Sequence, residues 1–204
     1  TLAQKNSLLK LMRSKSKRTD PTLSVWNGQL AEEGSRIMRF RADFIELINA
    51  TAAAIQSEIC GETLALRYMP SIKTESMTAE EIFEYLSERE GREADMGSSM
   101  YGVQRDDIEI FVNGREAKLF GSQGQQRTAA LSMKIAQSEY IKNIKGEYPV
   151  LLLDDIMSEL DIHRRMYLSE RIRDKQVLIT STDTDLIDKN TDTRLFRIEN
   201  GKVM

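Results

Sequence analysis

The sequence predicts an α/β fold preceded by a helical segment. Two patterns carry this. Apolar runs at 108–112, 150–153 and 176–181 alternate with helical stretches at 123–145 and 161–173, the order of an α/β layer. Residues 2–58 instead repeat apolar positions at helical spacings of three and four. The composition agrees: 204 residues, 40% hydrophobic and 30% charged, suffice for one domain with a sizeable core. No apolar run approaches the roughly 18 residues of a membrane span, so no membrane partner is expected. Cys60 and His163 are the only residues of their types. An internal disulfide and a Cys/His zinc site are therefore excluded, and Ser-His-Asp catalysis is disfavoured. A reducing cytoplasm is the natural setting.

The front half reads as helices. Leu8, Leu9, Leu11 and Met12 cluster in a first helix over 2–17, and Thr19-Asp20-Pro21 breaks it. Asp20 or Thr22 caps a second helix near 23–30, and a long helix follows from about Gln29 to Glu58. Ile37, Phe40, Phe44, Leu47 and Ile48 form its expected apolar stripe. Gly61 ends it. Thr63–Tyr68 reads as a strand closed by Pro70. Thr78 with Glu81 is a capping box opening an acidic helix, and Gly91 to Tyr101 reads as a loop.

The back half begins with a strand at Ile108–Val112, a hairpin turn at Asn113-Gly114 and a return over Glu116–Phe120. A helix follows from Gln123 to Lys145, with Ala129, Met133, Ala136 and Tyr140 on one face. Val150–Leu153 and Gln176–Ser181 read as buried strands. Asp161 caps the helix between them, and Asn200-Gly201 turns a terminal hairpin.

Charge is uneven. The net charge is −3, yet residues 1–48 carry nine Lys/Arg against five Asp/Glu. Lys10, Arg13, Lys15, Lys17 and Arg18 form a basic run that could meet nucleic-acid phosphates, or be a solvated helix face.

Four segments carry candidate chemistry. Leu151 to Asp155 drives a strand into a sheet and ends in two carboxylates, where ligands of open α/β sheets bind. One acid can hold Mg²⁺, and the second can orient a water. Phe120-Gly121-Ser122-Gln123-Gly124-Gln125-Gln126-Arg127-Thr128 opens a helix with small residues, leaving backbone N–H groups for an anion. Taken alone it also reads as a helix cap. Ser158-Glu159-Leu160-Asp161 follows the acids. Thr180-Ser181-Thr182-Asp183 places hydroxyls at the end of the next strand.

Together these segments stand in the order signature loop, Walker B, D-loop and switch of ATP-binding-cassette heads. Within that superfamily, Phe120–Thr128 and Leu151–Asp161 resemble the RecF family of bacterial recombination mediators. Val25-Trp26-Asn27-Gly28-Gln29-Leu30-Ala31 and Arg105-Asp106-Asp107 resemble it too, although Val103 and Gln104 stand where Pro-His is expected before Arg105. The resemblance implies the C-terminal part of an ABC-type (SMC/RecF-like) ATPase head. Residues 1–60 would be an inserted helical arm and 61–204 the α/β head lobe.

Ser122, Gln123, Gly124 and Gln125 would meet the γ-phosphate of ATP held by the other subunit. Thr180 and Thr182 would take the switch position. Asp154 would serve Mg²⁺ and Asp155 catalysis. Ser158, Glu159, Leu160 and Asp161 would cross an ATP-dependent homodimer. Duplex or gapped DNA, RecR, RecO and RecA would be the partners. The sequence holds no G-x-x-x-x-G-K-[ST] phosphate cradle. The chain is therefore expected to lie C-terminal to a Walker A lobe and to be inactive alone. A head piece of another SMC-like ATPase, or a non-catalytic DNA- or partner-binding module, remain the alternatives.

Overall fold

The computed structural model describes residues 1–182 and 193–204, with Glu159 described by its backbone. Asp183, expected at the end of the hydroxyl-bearing segment, lies outside the described residues. The elements run α1 (Leu2–Ser14), α2 (Pro21–Cys60), β1 (Leu64–Met69), α3 (Ala79–Ser87), α4 (Glu90–Met96), a 3₁₀ turn (Val103–Arg105), β2 (Asp107–Val112), β3 (Arg115–Glu116) and α5 (Ala117–Phe120). There follow α6 (Gln123–Lys145), β4 (Leu151–Asp154), α7 (Ile156–Glu159), α8 (Ile162–Arg171), β5 (Val177–Thr180), β6 (Ile198–Glu199) and β7 (Lys202–Val203).

The two expected front helices beyond Pro21 are one 40-residue helix, α2. Asp20 caps it by accepting from the Thr22 N–H at 2.9 Å, and Pro21 fits the first turn. Gly28 does not break it, since one internal glycine costs only about 1 kcal/mol against alanine. Gly61 ends it at φ 72°, a left-handed conformation that glycine adopts without strain.

The buried face of α2 differs from the expected stripe. Phe40 is 65% and Leu47 58% exposed, while Ala31, Met38, Ile45, Ile48, Ala52 and Ile55 are buried. Small residues decide this. Ala31, Gly34 and Ala52 let neighbouring elements approach closely, with Val103 lying 3.7 Å from where a Gly34 Cβ would sit. Phe40 instead stacks on Phe44.

β1 and β2 pair antiparallel from Leu64↔Val112 to Met69↔Asp107, and β3 adds two residues at the edge. The expected return strand at 116–120 ends at Glu116, where the chain turns into α5. β4 and β5 pair in parallel, from Leu151↔Val177 to Asp154↔Thr180. These two strands are buried on one face only. Leu153 and Ile179 pack on the core, whereas Leu152 is 75% and Leu178 56% exposed. β6 and β7 form the terminal hairpin.

α2 contributes to all three apolar clusters of the described residues. Its first half joins Leu9, Met12 and Ala94, then Ile72, Ile82 and Leu86, and its second half enters the main core against β1, β2 and α6.

The expected loop at 91–101 begins as α4, and a buried charge explains why. Glu93 and Lys5 are both fully buried, with Glu93 Oε2 2.6 Å from Lys5 Nζ. Glu93 Oε1 accepts from Ser99 Oγ, the Met100 N–H and the Tyr101 N–H. The carboxylate thus ties α1, α4 and the following loop together. A buried pair stabilises little in net terms, but breaking it strands a charge. Lys5→Met is expected to destabilise the fold by about 3–5 kcal/mol, read from the urea midpoint. A change below about 1 kcal/mol, the scale of an exposed pair, would mean the pair does not hold α1 to α4.

Candidate functional site

The turn before α6 is built by side chains folding back on their own backbone. Gln126 Nε2 donates to the carbonyls of Ala117 at 2.9 Å and Gly121 at 3.1 Å. The Gly121 N–H also donates to the Ala117 carbonyl at 3.0 Å, and a Cβ on Gly121 would sit 2.6 Å from that oxygen. Glycine is required there. Ser122 then caps α6: its Oγ accepts from the Gln125 N–H at 3.2 Å, and Gln125 Oε1 accepts from the Ser122 N–H at 2.9 Å. The Ser122 hydroxyl keeps its proton for a further acceptor.

Gly124 differs from Gly121. Among the described residues a Cβ there would meet nothing nearer than 3.9 Å, at Arg164 Nη1 and Ser122 Oγ, and its φ is not left-handed. Neither crowding nor backbone conformation requires a glycine at 124. The open space lies at the N-terminal turn of a 23-residue helix.

The acidic pair sits where the sequence places it, at the carboxyl end of β4. Thr180 Oγ1 on β5 donates to Asp154 Oδ1 at 2.5 Å and accepts from the Asp155 N–H at 2.9 Å. Thr180, expected in the switch, therefore spends its hydroxyl on the Asp154 carboxylate and the Asp155 backbone. Asp155 stands in the left-handed region at φ 48°, which Asp tolerates better than most residues. Its carbonyl accepts from Ser158 Oγ at 2.9 Å. Asp154 and Asp155 are both exposed. Thr182 is exposed, outside any strand.

Beyond the acids, Met157 and Leu160 are buried in the core and fix the path of Ser158 to Asp161. Asp161 caps α8, accepting from the Arg164 N–H at 3.0 Å and pairing with the Arg164 guanidinium. These contacts hold its carboxyl below the usual range, the backbone hydrogen bond most of all. Arg164 also borders Gly124, so the segment after the acidic pair and the turn before α6 meet at this guanidinium.

The basic run is partly committed. Arg18 forms a two-pronged pair with Asp95 at 3.0 and 2.8 Å, and Arg13 donates to the Met96 carbonyl. Lys10, Lys15 and Lys17 stay exposed.

Sequence reasoning missed the polar groups at the end of α2. Gln56 is fully buried and accepts from Ser132 Oγ on α6 at 2.8 Å. Glu58 accepts from the Tyr167 hydroxyl at 2.7 Å and from the Arg171 guanidinium, both on α8. These donors hold Glu58 below its usual range, while burial and Glu58 together push Tyr167 up to about 12. Glu62 accepts from Gln125 Nε2 at 2.6 Å. A polar residue recurring on the apolar face of a helix, as Gln56 does among Ile48, Ala52 and Ile55, was the available signal.

No family model matches the chain. The DNA replication and repair protein RecF of Staphylococcus aureus, in strains Newman and N315 alike, is 41% identical over 213 aligned positions, covering 100% of this chain and 58% of that protein. The chain resembles RecF from end to end. A solved structure of the recombination mediator protein RecF with ATP, in the RecFOR pathway, superposes with a TM-score of 0.80 at 30% identity. A second, with ATPrS, gives 0.81 at 32%. They match 100% and 99% of this chain, respectively, and 55% of each solved chain. The chain thus spans a little over half the length of the relatives it matches, and its α/β fold is that of the corresponding part of RecF, an ABC-type ATPase. Among the described residues no helix is long and apolar enough to cross a membrane.

The Thr180 bridge gives a direct expectation. Thr180→Val keeps the shape and removes two hydrogen bonds, so a loss of about 1–2 kcal/mol is expected, at about 1 kcal/mol per bond. Thr180→Ser should retain most of the stability. Thermal unfolding of the two variants measures the difference, and equal midpoints would refute the bridge.

Proposed function

We propose that this chain supplies the signature turn, Walker B strand and D-loop of a RecF-like ABC-type ATPase. Its nucleotide-dependent homodimer binds duplex or gapped DNA and assists RecA loading together with RecO and RecR. Residues 1–60 act as the helical arm and 61–204 as the head lobe, with the second half of α2 packing on the head lobe. The observation that carries this is the placement of Asp154 and Thr180 at the carboxyl ends of adjacent parallel strands. The likeness to RecF over the whole chain supports it. RecO, RecR and RecA enter by that likeness alone.

The residues present fit a magnesium nucleotide in part. Among the described residues no three acidic, histidine or cysteine side chains converge as a metal cage. A single carboxylate is nonetheless what a magnesium ion carried by a nucleotide needs, because Mg²⁺ keeps several waters and takes phosphate oxygens. Asp154 would hold such an ion, which when bound neutralises phosphate charge. Asp155, exposed and fixed through its N–H and carbonyl, would orient the attacking water and accept its proton. Ser122, the α6 N-terminus and the open face of Gly124 would bind the terminal phosphate of a nucleotide held by the other subunit. Ser158 to Asp161 would run beside that boundary. Lys10, Lys15 and Lys17 would face DNA phosphates.

The test is hydrolysis of Mg-ATP by this chain alone and after combination with the amino-terminal lobe of the Staphylococcus aureus relative. Silence alone and turnover in the combination are expected. Asp155→Asn in the combination should keep ATP binding and lose turnover by about 100-fold or more, the scale of a lost general base. Turnover by the chain alone, or full activity of Asp155→Asn, would overturn the assignment. Silence of both preparations would favour a non-catalytic module.

A further inference from the structure

The last turns of α2 end within reach of both site-forming helices, and one carboxylate gathers the contacts. Glu62 follows the left-handed Gly61 directly. Its Oε1 accepts from Gln125 Nε2 at 2.6 Å and from Asn113 Nδ2, in the β2–β3 turn, at 3.3 Å. Its Oε2 lies 3.4 Å from Gln56 Nε2 and 3.3 Å from Cys60 Sγ. Gln56 in turn is locked to α6 by the fully buried Ser132 hydroxyl. Two residues beyond Gln56, Glu58 grips Tyr167 and Arg171 on α8.

Gln125 is the pivot. Its amide oxygen accepts from the Ser122 N–H in the capping box, so its orientation sets the Ser122 cap. Its amide nitrogen has the Glu62 carboxylate as acceptor. A capping-box glutamine can rotate about its last torsion, and a charged acceptor on its nitrogen favours the rotamer that points the oxygen at Ser122. We infer that Glu62 is a positioning residue for the signature turn, fixing Ser122 and Gln125 according to how the C-terminal turn of α2 is seated.

This inference rests on reading Ser122–Gln125 as the nucleotide-facing turn. It extends that reading by making the end of the helical arm, which reaches Glu62 through Gln56 and Cys60, a determinant of the turn's geometry. The carboxylate is kept charged: burial opposes ionisation, but hydrogen bonds from Gln125, Cys60 and Gln56 and the nearby Arg164 cation outweigh it and hold Glu62 below the usual range. Lowering of this kind favours the folded contact above about pH 4.3, the value of an unperturbed glutamate, and the contact fades as pH falls through the lower folded value.

The test uses Glu62→Ala and Glu62→Gln in the chain combined with a Walker A lobe, with Asp155→Asn as the control for the nucleotide reading. Amide exchange at Ser122–Gln126, nucleotide affinity and turnover are measured together. For Glu62→Ala the expected result is faster exchange confined to that turn and turnover about tenfold lower or more, with ATP affinity retained. Glu62→Gln, still able to accept from Gln125, should recover part of both. A merely structural residue would lower the melting temperature and reduce affinity and turnover together, and that result overturns the inference. Unchanged exchange at the turn overturns it whatever the turnover shows, as does faster exchange with unaltered turnover. Full activity of Asp155→Asn would defeat the nucleotide reading separately, and the exchange result would still decide whether Glu62 sets the turn.

Discussion

The end of α2 and the residue just past its Gly61 stop carry three polar side chains with partners on different elements. Gln56 is bonded to α6, Glu58 to α8, and Glu62 to the turn that opens α6. Apolar packing alone leaves helices free to slide, because it is non-directional. A buried hydrogen bond such as Ser132–Gln56 is directional and costly to leave unmade, so it fixes the register of α2 on α6. Once that register is set, the turn that opens α6 and the start of α8 fall beside each other at Arg164. The same helix also carries the contacts of α1, α3 and α4 in its first half. One 40-residue element therefore links the helical front to both site-forming segments.

Much of this was legible because the decisive signals are local. The cap at Asp20, the capping boxes at Thr78 and Ser122, the stop at Gly61 and the apolar strand ending in Asp154-Asp155 each depend on a few neighbouring residues. What escaped depends on contacts distant in the chain. The inward face of α2 is chosen by small residues that admit Val103 and α3, so large apolar side chains such as Phe40 and Leu47 were misread as core. α4 forms around a charge pair spanning residues 5 and 93, which no local pattern reveals. The strands at 151–154 and 177–180 read as wholly buried from their composition, yet only one face packs. Thr180 was placed correctly at the strand end, but its bond to Asp154 follows only from the parallel register.

On the proposed reading, the site is one half of a nucleotide site. Its acids and hydroxyls are oriented by backbone and side-chain bonds and remain exposed. Ser122 retains a donor, and Gly124 leaves room beside it. Preorganisation without enclosure is what the proposed reading requires of a surface that another lobe and a nucleotide would complete. The two glycines of the turn make the point. Gly121 is demanded by the carbonyl of Ala117, whereas among the described residues nothing demands a glycine at 124.

That contrast yields the most direct measurement. Gly124→Ala adds one methyl group where the chain has room, at a helical position where alanine is favoured by roughly 0.5–1 kcal/mol. The variant, combined with a Walker A lobe, is to be compared with the parent for thermal stability and Mg-ATP turnover. The account predicts equal or higher stability with turnover strongly reduced, because the methyl group occupies the approach of the phosphate. A variant that is equally stable and fully active would contradict it.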